Sequence, residues 1–135
     1  MDKTALVSLD IERGREVLDE RGREVLDALD ATKVKIAVAL WAYLPEYEDW
    51  RLVVAGRPFD SPDLRDAYRR LNDSLATSGL TPNKAPSILI LSTNDPFIRA
   101  LRQVFGKAKS VEGMRLGGQM IGDRFLEDAY VYRIS

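Results

Sequence analysis

Thr93-Asn94-Asp95 is the tripeptide best placed to do chemistry. It follows the apolar run Ser87-Ile88-Leu89-Ile90-Leu91 and precedes Pro96, so it lies where a strand ends and a helix begins. Ligands of open α/β sheets bind at such carboxyl ends, and the free N–H groups of a helix N-terminus favour anions. Asp95 together with Asp60 and Asp63, or with Glu46, Glu48 and Asp49, supplies oxygen ligands suited to Mg²⁺, and Arg57 or Arg99 is available to a phosphate. Such a set would serve a metal-dependent nuclease or phosphoesterase, which needs two or three carboxylates and a lysine converging beside a sheet. The strand pattern of an acid, one residue and then a lysine is missing. Asp49-Trp50-Arg51 comes nearest, with arginine in the lysine position and a place at a turn. An aspartate followed by proline is also an ordinary helix cap, and capping is the main expectation for Asp95.

The glycines of Gly113-Met114-Arg115-Leu116-Gly117-Gly118-Gln119-Met120-Ile121-Gly122 invite a phosphate-loop reading. A P-loop needs Lys and then Ser or Thr after its last glycine, and no such pair follows Gly118 or Gly122. A bulged or tightly turned strand is expected instead. The chain of 135 residues has no cysteine and no histidine, which removes thiolate and imidazole metal sites, thiol nucleophiles and imidazole triads. No cofactor is expected.

Twenty basic and 21 acidic residues give a net charge of −1, which argues against a dedicated nucleic-acid or membrane-surface binder. The charge is unevenly spread. Residues 1–30 hold nine acids and five bases, whereas residues 97–124 hold Arg99, Arg102, Lys107, Lys109, Arg115 and Arg124 against Glu112 and Asp123. A basic segment of this kind could track a phosphate backbone. Beyond Phe97 and Phe105, which fall on an apolar helix face, no aromatic residue is interleaved with these charges for base stacking, so ordinary solvated faces are the simpler expectation.

The elements that must position these groups follow from apolar spacing. Residues 4–31 read as one unusually long helix, with Val7, Ile11, Leu18, Val25 and Leu29 along one stripe and Gly14 and Gly22 weakening it. It contains an identical tandem repeat, ERGREVLD at 12–19 and again at 20–27. A helix of this length spans roughly 42 Å, against roughly 37 Å for the diameter of a 135-residue globule, so one end is expected to overhang, loop out or meet another chain. Residues 33–44 read as a strand with Val34, Ile36, Val38 and Leu40 on one side and small residues and Trp41 on the other; 45–49 as a hairpin connection; and 50–56 as a second strand. Asp60 to Asp63 start a helix capped at Ser61 or Asp60, with Leu64, Ala67, Tyr68, Leu71 and Leu75 on its apolar face and Gly79 at its end. Ser87 to Leu91 reads as an interior strand. Phe97, Ile98, Leu101, Val104 and Phe105 mark a third helix ended by Gly106, and strands follow over 114–121 and 129–134. The order is α-β-β-α-β-α-β-β.

These elements predict a single α/β (α+β) domain over 1–135, with three helices and a mixed, partly parallel sheet of about five strands. The first 17 residues lack a signal-peptide pattern, and the longest apolar run, Ile36 to Leu44, is too short to cross a bilayer, so a cytoplasmic protein without a membrane partner is expected. The long helix and the aromatic residues around the first hairpin (Trp41, Tyr43, Tyr47, Trp50), where Trp41 and Trp50 are expected to face each other, point to a self-associating, non-enzymatic interaction module. Val7, Ile11, Leu18, Val25, Leu29, Trp41 and Trp50 are its expected contact residues, and a homo-oligomer or protein partner its expected complex. The Mg²⁺-dependent enzyme using Asp95, Asp60 and Asp63 is the alternative. A nucleic-acid binder through residues 97–124 comes third.

Overall fold

The structure, a computed structural model of the chain, describes residues 20–80, 87–108 and 111–135. Residues 20–31 are helical (α1). Strands β1 (Val38–Leu44) and β2 (Asp49–Ala55), a short 3₁₀ turn (Arg57–Phe59), helix α2 (Leu64–Thr77), strand β3 (Ile88–Ile90), helix α3 (Pro96–Phe105) and strands β4 (Arg115–Ile121) and β5 (Arg124–Ile134) follow. The five strands form one mixed sheet in the order β3-β2-β1-β5-β4. Among the described strands only β2 and β3 pair in parallel, as the α2 crossover between them requires. The architecture is the α/β arrangement that the element order predicts.

Alternation along β1 divides the core between two faces of the sheet. Val38, Leu40, Ala42 and Leu44 face one way and pack with Phe97, Ile98 and Leu101 of α3. Ala39 and Trp41 face the other way and pack with Val25, Leu26, Ala28 and Leu29 of α1 and with Ala67, Leu71 and Leu75 of α2. Helices therefore cover both faces. The octapeptide copy at 20–27 contributes Val25 and Leu26 to this packing; the copy at 12–19, and with it most of the predicted 4–31 helix, lies outside the described residues.

Several local expectations need correction. Strand β1 starts at Val38, not at residue 33, because Lys33 adopts a left-handed conformation (φ 61°) that ends α1 and turns the chain. Ile36 consequently packs on the Trp41 side. Ser87–Leu91, expected inside the sheet, is a three-residue edge strand. Its unbroken apolar character reflects cover on both faces, Ile88 and Ile90 toward the α1/α2 side and Leu89 toward α3. Helix α2 is capped by Asp63, whose carboxylate accepts from the Arg65 N–H at 3.0 Å, so Leu64 falls at the helix start and stays 59% exposed. Val104, expected on the apolar face of α3, points to solvent.

The hairpin registers correct the aromatic and glycine readings. Tyr43 lies opposite Trp50, in an edge-to-face contact with centroids 5.9 Å apart, while Trp41 lies opposite Leu52. Trp41 therefore faces Leu52 and not Trp50. Strand β5 begins five residues before the expected Ala129, because Gly122-Asp123 closes a two-residue hairpin with β4. Gly122 has φ +62°, and a Cβ there would stand 2.6 Å from the Pro96 carbonyl oxygen. A glycine followed by Asp is the signature of such a turn, so this hairpin was readable.

Gly22 has a specific task in α1. A Cβ at this position would lie 2.5 Å from Tyr132 Oη and 2.7 Å from Trp41 Nε1. The absent side chain lets the helix rest directly on these two residues, whose Nε1 and Oη atoms share a 3.1 Å hydrogen bond.

Candidate anion-binding site

Strand pairing decides which charged residues meet. Val38 is opposite Ala55 on one side and Ile134 on the other, and Val54 is opposite Ile90. The start of β1 and the ends of β2, β3 and β5 therefore share one end of the sheet. Segments leaving these strands carry Lys33 and Lys35 (before β1), Arg57 (after β2), Thr93 (after β3) and Arg133 and Ser135 (at the end of β5) to a common open depression of ≈840 Å³, which Arg102 of α3 also lines. A second depression of ≈510 Å³ is lined by Arg99, Arg102, Gln103, Gly106, Lys107 and Ser135. Among the described residues, seven side-chain cations line the two together, against one side-chain carboxylate, Asp30.

Asp30 is already committed. It accepts hydrogen bonds from both terminal nitrogens of Arg133, at 3.2 and 3.0 Å. That hydrogen bonding raises the Arg133 pKa; partial desolvation opposes the shift, and the attraction of Asp30 and Glu112 reinforces it. Lys33, Lys35, Arg57, Arg99, Arg102 and Lys107 pair with no acidic side chain among the described residues. Arg102 is held by its inner edge, where Nε donates to the Ser135 carbonyl oxygen at 2.8 Å.

Lys33 occupies an unusual position. Its N–H donates to the Asp30 carbonyl at 3.1 Å and the Val34 N–H to the Leu29 carbonyl at 2.9 Å, the paired bonds of a Schellman helix end. The left-handed residue in that motif is most often glycine, and here it is a lysine on the rim of the cavity. The fold holds a cationic side chain where glycine, with no Cβ, would sit with less strain. Such outliers concentrate at functional sites.

The residues singled out for metal binding have separate duties. Asp95 caps α3, accepting from the Phe97 N–H at 2.9 Å. Asp63 caps α2. Asp60 accepts from the Thr93 N–H at 2.9 Å and from the Thr93 hydroxyl, tying the loop before α2 to the loop after β3. Glu46 pairs with Arg124, and Asp49, the first residue of β2 and not a turn residue, accepts from the Trp50 N–H at 2.8 Å. Among the described residues no three acidic side chains are placed to share a cation.

Of the expected contact residues, Val25, Leu29 and Trp41 are buried in the protein's own core, Trp50 is half-buried beside Tyr43, and Val7, Ile11 and Leu18 lie outside the described residues, as does Lys109 of the basic segment. Arg99, Arg102 and Lys107 of that segment do line the site, whereas Arg115 and Arg124 are paired with Asp128 and Glu46. Lys33, Lys35, Arg57 and Arg133 come from segments far away in the chain. No spacing rule links them, and their convergence is a product of strand order alone.

The fold is thus a five-stranded mixed sheet covered by helices on both faces, with a cationic cavity at one end. No family model, curated protein or solved structure matches the chain. No described helix is long and apolar enough to cross a membrane.

Proposed function

We propose that the protein is a non-catalytic binding module whose ligand carries phosphate, held at the cationic end of the sheet. The observation that carries this reading is the set of seven Lys and Arg side chains around the two adjoining depressions, with the single lining carboxylate tied up by Arg133. Exposed arginine and lysine groups with no acidic partner bind phosphoryl oxygens by charge-assisted hydrogen bonds. Among the described lining residues no acidic side chain is left over to act as a general base, which favours binding over turnover.

The test is thermal unfolding with added inorganic phosphate, using chloride at equal ionic strength as the control. At ten times its dissociation constant, phosphate stabilises the folded state by about 1.4 kcal/mol. A combined Lys35→Gln, Arg57→Gln variant should keep its own midpoint and lose the phosphate-specific rise. Equal midpoints in phosphate and chloride would overturn the reading.

We also propose self-association through the free edge of β4. Strand β4 is an edge strand, and Met120 and Phe125, cross-strand partners on its hairpin with β5, are 61% and 47% exposed. An edge carrying apolar side chains favours strand addition by a second copy. Light scattering should show a dimer that Met120→Glu dissociates, and a monomer at high protein concentration would rule this out.

A further inference from the structure

The two depressions share Arg102 and Ser135, so they meet at a single arginine. The Nε bond to the Ser135 carbonyl fixes that guanidinium while its two terminal nitrogens make no hydrogen bond among the described residues. A guanidinium anchored in this way presents its outer fork to two oxygens of one phosphoryl group. Further cations stand on both sides: Arg99 and Lys107 around the smaller depression, Lys33, Lys35 and Arg57 around the larger. A lone phosphate would use only part of this arrangement. A ligand with phosphoryl groups in succession would use all of it.

The remaining lining narrows the choice. Among the described residues no aromatic side chain lines either depression, so they offer no platform on which a base could stack. Val34, Ile36, Ala37 and Pro58 give the larger depression a short aliphatic wall, suited to the carbon face of a sugar ring. Both depressions open to solvent, so a chain can enter and leave along them. The whole-chain charge of −1 does not argue against such a ligand, because the cations lining the two depressions locally outnumber the acidic side chains there.

We propose, resting on the phosphate-binding reading above, that the ligand is the sugar–phosphate backbone of a nucleic-acid strand, with consecutive phosphates on either side of Arg102 and no readout of base sequence. Contacts of this kind position a strand without specifying it.

The test is fluorescence anisotropy of labelled oligothymidylate and of a mixed-sequence strand of equal length, each competed with inorganic phosphate and with tripolyphosphate. Both strands should bind within about twofold of each other. The logarithm of affinity should fall with the logarithm of salt at a slope of about −1.4 for two neutralised phosphates. Arg102→Gln and Lys107→Gln should each bring the slope closer to zero, by at most about 0.7. Lys107 is exposed, so its variant keeps the fold and guards against loss of binding through unfolding. Tripolyphosphate or phosphate competing as tightly as the strands, with Lys107→Gln silent, would overturn the backbone proposal and leave the phosphate reading standing. A preference of tenfold or more between the two strands would overturn base-independence and with it the proposal. Absence of binding by every phosphate-bearing probe would overturn both readings.

Discussion

Replacing Lys33 with glycine separates folding from function at one position. Lys33 holds φ at +61° to complete the Schellman end of α1. A left-handed conformation costs an L-residue roughly 1–2 kcal/mol. Glycine avoids that strain but loses more backbone entropy on folding, roughly 0.5–1 kcal/mol. The net expectation for Lys33→Gly is a gain of about 0.5–1 kcal/mol. With an unfolding entropy of about 2.1 cal/mol/K per residue, a chain of this length gains about 2–4 °C in melting midpoint. The same change removes one cation from the cavity rim. A unit charge about 5 Å from a phosphate contributes about 0.8 kcal/mol in water, so affinity for a phosphate-bearing probe should fall about fourfold. Urea or thermal melts give the first quantity, and anisotropy at low salt gives the second. A variant more stable and weaker in binding is the expected result. A lower melting midpoint would refute the strain argument, and unchanged affinity would refute the assignment of Lys33 to the site.

Three further outcomes follow from the same geometry. Gly22→Ala should lower stability by about 1–2 kcal/mol in urea titrations, although helix propensity alone favours alanine by about 1 kcal/mol, because the new Cβ meets Tyr132 and Trp41. Asp95→Ala should cost about 1 kcal/mol while Asp95→Asn stays within a few tenths, with the same result in Mg²⁺ and in chelator, since the carboxylate acts as a cap. Binding of a phosphodiester strand should be flat between about pH 6 and 8, because the chain has no histidine to titrate there; a marked pH dependence in anisotropy would point to another site.

Much of the framework was legible in the residues themselves. Apolar spacing every three or four residues marked α2 and α3, alternation marked β1, and Asp95-Pro96 marked the start of α3, because each signal depends on neighbours within one or two turns of chain. The charge types at the anion site are visible as well: Arg57 and Arg99 are available to a phosphate, and Arg102 and Lys107 belong to the basic segment 97–124. Their company was not. Lys33 and Lys35 read as the start of a strand, and Arg133 falls within the last one with nothing to mark it.

Only the tertiary structure decided that β5 inserts between β1 and β4, and that insertion carries Arg133 and Ser135 to the same end as Lys33, Arg57 and Arg102. It also decided that Val25, Leu29 and Trp41 are used internally, and that Gly22 serves close approach. Local periodicity records which face of an element is dry. Strand order depends on contacts between segments up to a hundred residues apart, and no short-range pattern in the chain encodes which ends will meet.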